Sequence, residues 1–229
     1  MDKGTLIKLY NLQASNYDKS RFGIITGNYI DFLEKWYIIV HIRGTKVLDV
    51  GCGTGRFIPI LNKLGINYYG IDLAENMVKV AKRRGSRFCN LLIMDGEKMG
   101  FLPNTFDSVF LVRTFKFFSE PLNFLGEVHR ILKPKGRLIC IYENRDAFWR
   151  KNKKFISASG GRYYTKREME LMFRSSNFNV ILSKKAFLTP YVFPKFIPPH
   201  LVYLFLKLSQ SMPISKPLYT DNIIIGEKV

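Results

Sequence analysis

Apolar residues along this chain follow two rhythms. Short apolar runs at 47–50, 67–72, 90–94, 106–112 and 137–142 read as buried strands. Between and around them, apolar residues at three- and four-residue spacing predict helices near 31–40, 57–64, 74–84 and 121–132. The last presents Leu122, Leu125, Val128 and Leu132 on one face, with Pro134 and Gly136 as stop signals. Thr165 followed by Glu168 has the spacing of a capping box and predicts a helix over 168–175; strands follow at 177–182 and 222–226. Strands alternating with helices give an α/β fold with a doubly wound, mostly parallel sheet. The chain divides into an N-terminal helical cap (1–44), a core (45–143) and a C-terminal part (144–229), within one domain and without internal repeats.

The first strand runs directly into glycines. V-L-D-V-G-C-G-T-G, residues 47–55, carries Asp49 and then Gly51, Gly53 and Gly55, which permit positive φ and close approach of backbone to a ligand where the next helix begins. A dinucleotide fingerprint would need its third glycine where Arg56 stands, and no P-loop pattern occurs. The second strand ends in Asp72, where an α/β nucleotide site places a carboxylate for ribose hydroxyls. The third leads into Asp95-Gly96-Glu97 and the fourth ends at Val112. In a parallel sheet the carboxyl ends share one edge, so Gly51, Asp72, Asp95 and Val112 converge there. The competing reading of each acid is a turn former or helix cap.

Composition narrows the class. A chain of 229 residues, 47% of them hydrophobic, can bury a substantial core. Residues 1–10 lack a signal-peptide pattern, and the stretches 36–42 and 196–208 are too short or too interrupted to span a bilayer, so a cytoplasmic protein, at most peripheral to a membrane, is expected. Cys52, Cys89 and Cys140 lack metal-ligand spacing; buried thiols are expected and no metal is assigned. The net charge of +18 gathers along 79–87 and at Arg145, Arg150, Lys151, Lys153, Lys154, Arg162, Lys166 and Arg167, a distribution that attracts polyanions. Phe148, Trp149, Tyr163 and Tyr164 lie among these charges as candidate stacking groups for RNA. The aromatic and aliphatic stretch 187–208 fits a lid over a hydrophobic substrate or an element resting on anionic lipid. A lysine-rich solvated surface is the plain alternative.

Four segments in order, V-L-D-V-G-C-G-T-G-R, G-I-D-L-A-E-N-M, M-D-G-E-K-M-G-F-L-P-N-T-F-D and E-V-H-R-I-L-K-P-K-G-R-L, resemble the class I S-adenosylmethionine-dependent methyltransferases, particularly the small-molecule subgroup typified by ubiquinone and menaquinone methyltransferases. The resemblance covers about residues 17–178. It implies a Rossmann-like sheet of seven strands, the last antiparallel, with a C-terminal helical insertion at 187–216. It implies S-adenosyl-L-methionine as cofactor, with Gly51 and Gly53 against the methionine part, Asp72 on the ribose hydroxyls, Leu73 beside the adenine, and Asp95, Gly96 and Glu97 addressing the adenine. Asp49 would orient the glycine turn, Val112 would border the site, and Arg113 would pair with the cofactor carboxylate. The acceptor pocket of such enzymes draws on segments corresponding here to 17–22, 113–118 and 187–216, which brings in Tyr17, Phe22, Phe115, Lys116 and Phe117; Tyr17-Asp18 resembles the Tyr-Asp of a lid helix.

Many relatives read Leu-His-His after the fourth strand, where this chain has Phe115-Lys116-Phe117, so the obvious histidine base is gone. Tyr17, Tyr142 and Glu143 are then the candidates for orienting or deprotonating an acceptor. The motifs of exocyclic-amine, cytosine C5 and ribose 2′-O methylation are absent. The favoured activity is in-line methyl transfer to a small, apolar or amphipathic acceptor at O, N or C. RNA methylation through the basic surface is the first alternative, and a cofactor-binding protein without transferase activity the second.

Overall fold

The computed structural model describes residues 2–23, 25–85, 89–147, 160–188 and 219–229, together with Leu201 and Leu204. Seven strands form one sheet in the order β3-β2-β1-β4-β5-β7-β6: β1 (Lys46–Val50), β2 (Asn67–Asp72), β3 (Cys89–Ile93), β4 (Phe106–Val112), β5 (Leu132–Glu143), β6 (Phe178–Leu188) and β7 (Tyr219–Lys228). The pairs β1 with β2 and β4, β2 with β3, and β4 with β5 are parallel; β7 runs antiparallel between β5 and β6.

Alternation along the strands builds two cores. Leu48, Val50, Val109, Leu111, Leu138, Cys140 and Ile224 face one layer, and Val47, Phe110, Ile139, Ile141, Ile223 and Ile225 face the other. Against the first pack α6 (Pro121–Ile131), through Phe124, Leu125, Val128 and Ile131, and α7 (Lys166–Ser175), through Met169 and Phe173. Against the second pack α3 (Ile25–His41), α4 (Ile58–Lys63) and α5 (Glu75–Lys82), through Ile38, Ile58, Leu61 and Ala81. Each fully buried aliphatic or aromatic side chain contributes roughly 1.5–3 kcal/mol.

The expected face of α6 is corrected: Leu122 is exposed and Leu132 already begins β5, so the helix turns Phe124 and Ile131 inward instead. The helix of the capping box starts two residues before the expected 168, and Thr165 and Glu168 close the box reciprocally. Two further helices, α1 (Lys3–Gln13) and α2 (Tyr17–Phe22), complete the cap. Most of the 187–216 insertion, the basic run 150–154 and the aromatics Phe148 and Trp149 lie outside the described residues. No helix among the described residues is long and apolar enough to cross a membrane.

Candidate functional site

The strand ends of β1, β2 and β4 meet at the glycine turn. Gly51 and Cys52 donate their N–H groups to the Ile71 carbonyl at 2.8 and 3.0 Å, which folds the turn back onto β2. Gly51 has φ 75°, and a Cβ there would lie 2.4 Å from the Thr114 hydroxyl oxygen, so only glycine fits. Gly53 has φ 53° and donates its N–H to Asp72 Oδ2 at 2.9 Å, yet a Cβ built on it would meet nothing within 4 Å. The backbone is therefore bare toward open space at that point.

Asp72 also accepts the Ala74 N–H, through Oδ1 at 2.8 Å. Each of its oxygens takes one backbone donor and keeps lone-pair capacity for a ligand hydroxyl. Burial raises its pKa against these backbone hydrogen bonds. Asp49, 2% exposed, accepts the Tyr68 hydroxyl at 2.7 Å; burial, opposed by that hydrogen bond and by Arg56, pushes its pKa up to about 7.

The cap closes over this edge by polar stitches. Asp18 on α2 accepts the Thr54 hydroxyl at 2.7 Å and pairs with Arg84 beyond α5. Asn11 on α1 accepts the Asn76 N–H at 2.8 Å, and Lys3 pairs with Asp95 at 2.7 Å and with Glu97. Burial raises the Asp95 pKa, but Lys3 and the Glu97 N–H outweigh it and hold the carboxyl below its usual range. Beneath the cap, Tyr10 packs with Tyr17 (6.0 Å between centroids) and edge-on to Phe117 (5.9 Å).

Together these parts enclose a cleft with about 1130 Å³ of empty space, its open mouth included. Residues 48–140, the stretch that forms most of its floor, match the methyltransferase domain family. Over these residues the chain carries a methyltransferase domain, and its fold is shared with solved S-adenosylmethionine-dependent methyltransferases. It is 27% identical over 175 residues to an uncharacterised protein of Methanocaldococcus jannaschii, covering 75% of this chain and 74% of the other. It is 31% identical over 144 residues to a demethylmenaquinone methyltransferase of Symbiobacterium thermophilum, covering 58% of this chain and 57% of that enzyme, so this match spans little more than half of the relative's length. In fold it is similar to an S-adenosylmethionine-dependent methyltransferase of Thermotoga maritima, with a TM-score of 0.72 at 22% identity, covering 97% and 99% of the two chains.

S-adenosylmethionine is the cofactor of the similar solved methyltransferases. The cleft fits it on two observations: the bare backbone at Gly53, and the lone-pair capacity of Asp72 beside it. Of the residues expected from sequence, Asp49, Gly51, Gly53, Asp72, Leu73, Asp95, Gly96, Val112 and Arg113 line the cleft, as do Tyr17, Phe22, Lys116 and Phe117.

Other expected residues are placed elsewhere or otherwise engaged, Glu143 among them, which lies outside the lining and pairs with Lys116. Phe115 is fully buried against Phe118, Phe124 and Tyr164, because the turn at 115–117 directs it into the α6 core. Tyr142, 2% exposed, belongs to that same core because its side chain leaves β5 on the α6 side of the sheet. Glu97 lies outside the lining, taking Lys3 and the Glu120 N–H. Arg113 does line the cleft, but its Nε pairs with Glu34 at 2.7 Å and its Nη2 with Asp221 at 3.0 Å. Tyr163 and Tyr164 are buried, which removes them as exposed stacking groups.

Sequence reasoning missed Lys3, Tyr10, Met77 and Met94 in the lining and Glu34 behind it. Glu34 binds both Arg56, at 2.6 Å, and Arg113. Burial raises its pKa, but the two guanidiniums outweigh that and hold it below its usual value. Its sequence signal is the spacing of Asp31 and Glu34, three residues apart on α3, and both carboxylates reach Arg56.

Proposed function

We propose that this protein transfers the methyl group of S-adenosylmethionine to a small, apolar or amphipathic acceptor held beneath the N-terminal helices. The observation that carries the reading is the continuity of the cleft, from the Gly53–Asp72 contact at one end to the rings of Tyr10, Tyr17 and Phe117 at the other. The activity named for the demethylmenaquinone methyltransferase relatives supports a small-molecule acceptor over RNA.

The bound cofactor supplies a methyl group already activated by its sulfonium, so the chain's task is positioning rather than generating a nucleophile of its own. Asp72 holds the ribose hydroxyls, and the backbone of Gly51 and Gly53 borders the methionine part. Leu73 packs against the adenine while Asp95 and Gly96 address its edge. Asp49 and Arg113 fix the strand ends that carry these contacts, and Val112 closes the floor. Tyr17 and Phe22 cover the acceptor side and exclude water. Glu143, paired with Lys116 at 2.6 Å, is engaged by a cation and is better suited to orientation than to taking a proton.

Cell extract separated into lipid, metabolite and RNA fractions and incubated with the protein and methyl-labelled S-adenosylmethionine tests the reading. Label is expected in the lipid or metabolite fraction. Label confined to RNA would reject the small-molecule acceptor, and label in no fraction would favour a binding protein without transferase activity.

A further inference from the structure

The acceptor end of the cleft is more charged than an apolar acceptor requires. Lys116, in the turn after β4, donates to Glu143 Oε1 at 2.6 Å, with the two side chains 11% and 5% exposed. Its ammonium lies 4.9 Å from the Phe117 ring centroid and 5.4 Å from that of Tyr163. Its backbone is pinned as well: the Lys116 carbonyl accepts the Arg162 N–H at 2.8 Å, and a Cβ on Gly161 would come within 2.7 Å of that same oxygen. A buried ion pair is weak evidence for stability, since well-packed apolar residues often serve as well or better. Here Lys116, though not Glu143, lines the ligand cleft.

A second cation faces the same space. Arg21 on α2 lines the cleft at its mouth, with its guanidinium carbon 5.8 Å from the Tyr17 ring centroid. Arg21 and Lys116 line the same cleft as Tyr10, Tyr17 and Phe117, and that cleft reaches Asp72 at the cofactor end. Glu143 pairs with Lys116, whereas Arg21 forms no ion pair among the described residues. An ammonium has three N–H groups, and Glu143 with two ring faces leaves Lys116 capacity for an acceptor oxygen.

We propose that the acceptor is an aromatic monocarboxylate, its ring seated against Tyr10, Tyr17 and Phe117 and its carboxylate held between Lys116 and Arg21. This rests on the methyltransferase reading for the identity of the site. Lys116 and Arg21 set specificity by charge, and Glu143 is a positioning residue that holds the Lys116 side chain against the wall. The substitution of Phe115-Lys116-Phe117 for the histidine pair of many relatives then marks a change in acceptor chemistry.

The test is calorimetry of 2-naphthoate and its neutral analogue 2-naphthamide with protein saturated by S-adenosylhomocysteine. The wild type should bind the carboxylate about tenfold more tightly or better, a difference of about 1.4 kcal/mol. Lys116→Gln and Arg21→Gln should each shrink the preference to about threefold or less, and Lys116→Arg should restore most of it. Equal affinity for the two compounds, a preference that survives both glutamine variants, or binding of neither compound would overturn the proposal. If S-adenosylhomocysteine itself fails to bind, the cofactor reading falls. The naphthoate preference is then measured without it, so the two failures are told apart.

Discussion

At the residue scale the telling groups are carboxylates whose environments differ. Asp49 and Asp72 are both buried, yet Asp72 is met by backbone N–H groups while Asp49 has the Tyr68 hydroxyl as its hydrogen-bond donor. Burial pushes the Asp49 pKa from the usual 3.8 of a free carboxyl up to about 7. The folded state therefore holds this proton more tightly than the unfolded state, and the stabilisation is complete below about pH 4 and lost as pH rises through about 7. Asp49→Asn should remove that dependence. Denaturant midpoints of the variant relative to wild type should rise between pH 5 and pH 8; a constant difference across that range would contradict the shift. Asp72 could be foreseen from sequence because a strand ending in an acid at an α/β edge is a local signal. Lys3 and Glu34 could not, because their partners lie 92 residues away for Lys3–Asp95 and 79 for Arg113–Glu34.

At the element scale, the strands were legible from their apolar runs, and their ends less so. Expected at 137–142, β5 begins at Leu132 directly after α6, because Leu132 pairs with Phe106 of β4 and extends the strand before the apolar stretch. The helices α1 and α2 leave little trace in the hydrophobic pattern: neither has a buried residue, and both are held by side-chain hydrogen bonds to distant elements. The opposite case is α7, where Thr165 and Glu168 announce the start and the structure closes both bonds. Thr165→Ala should cost about 1 kcal/mol, seen as a lower denaturant midpoint with unchanged slope. No loss would mean that packing of Met169 and Phe173 alone sets the helix start.

At the scale of the whole molecule, one network ties cap, sheet and cleft together. Glu34 on α3 joins Arg56 after the glycine turn to Arg113 at the end of β4, and Arg113 reaches Asp221 on β7. Arg113 takes φ 60° there, a left-handed conformation costly for a non-glycine residue, so the ion pairs hold a strained strand end in place. Glu34→Leu should leave Arg56 to Asp31 and Arg113 to Asp221 and cost about 1.5–3 kcal/mol, read by denaturant unfolding. A loss below about 1 kcal/mol would show that water or other carboxylates replace Glu34.

The central claim is that the Gly53–Asp72 edge holds S-adenosylmethionine. Calorimetry of S-adenosylhomocysteine with wild type and Asp72→Ala tests it most directly, with circular dichroism confirming that both are folded. The account predicts saturable binding by the wild type and an affinity at least about tenfold weaker in the variant, as expected for loss of hydrogen bonds to a charged group. Folded wild-type protein that does not bind, or a variant that binds as well as wild type, would contradict it.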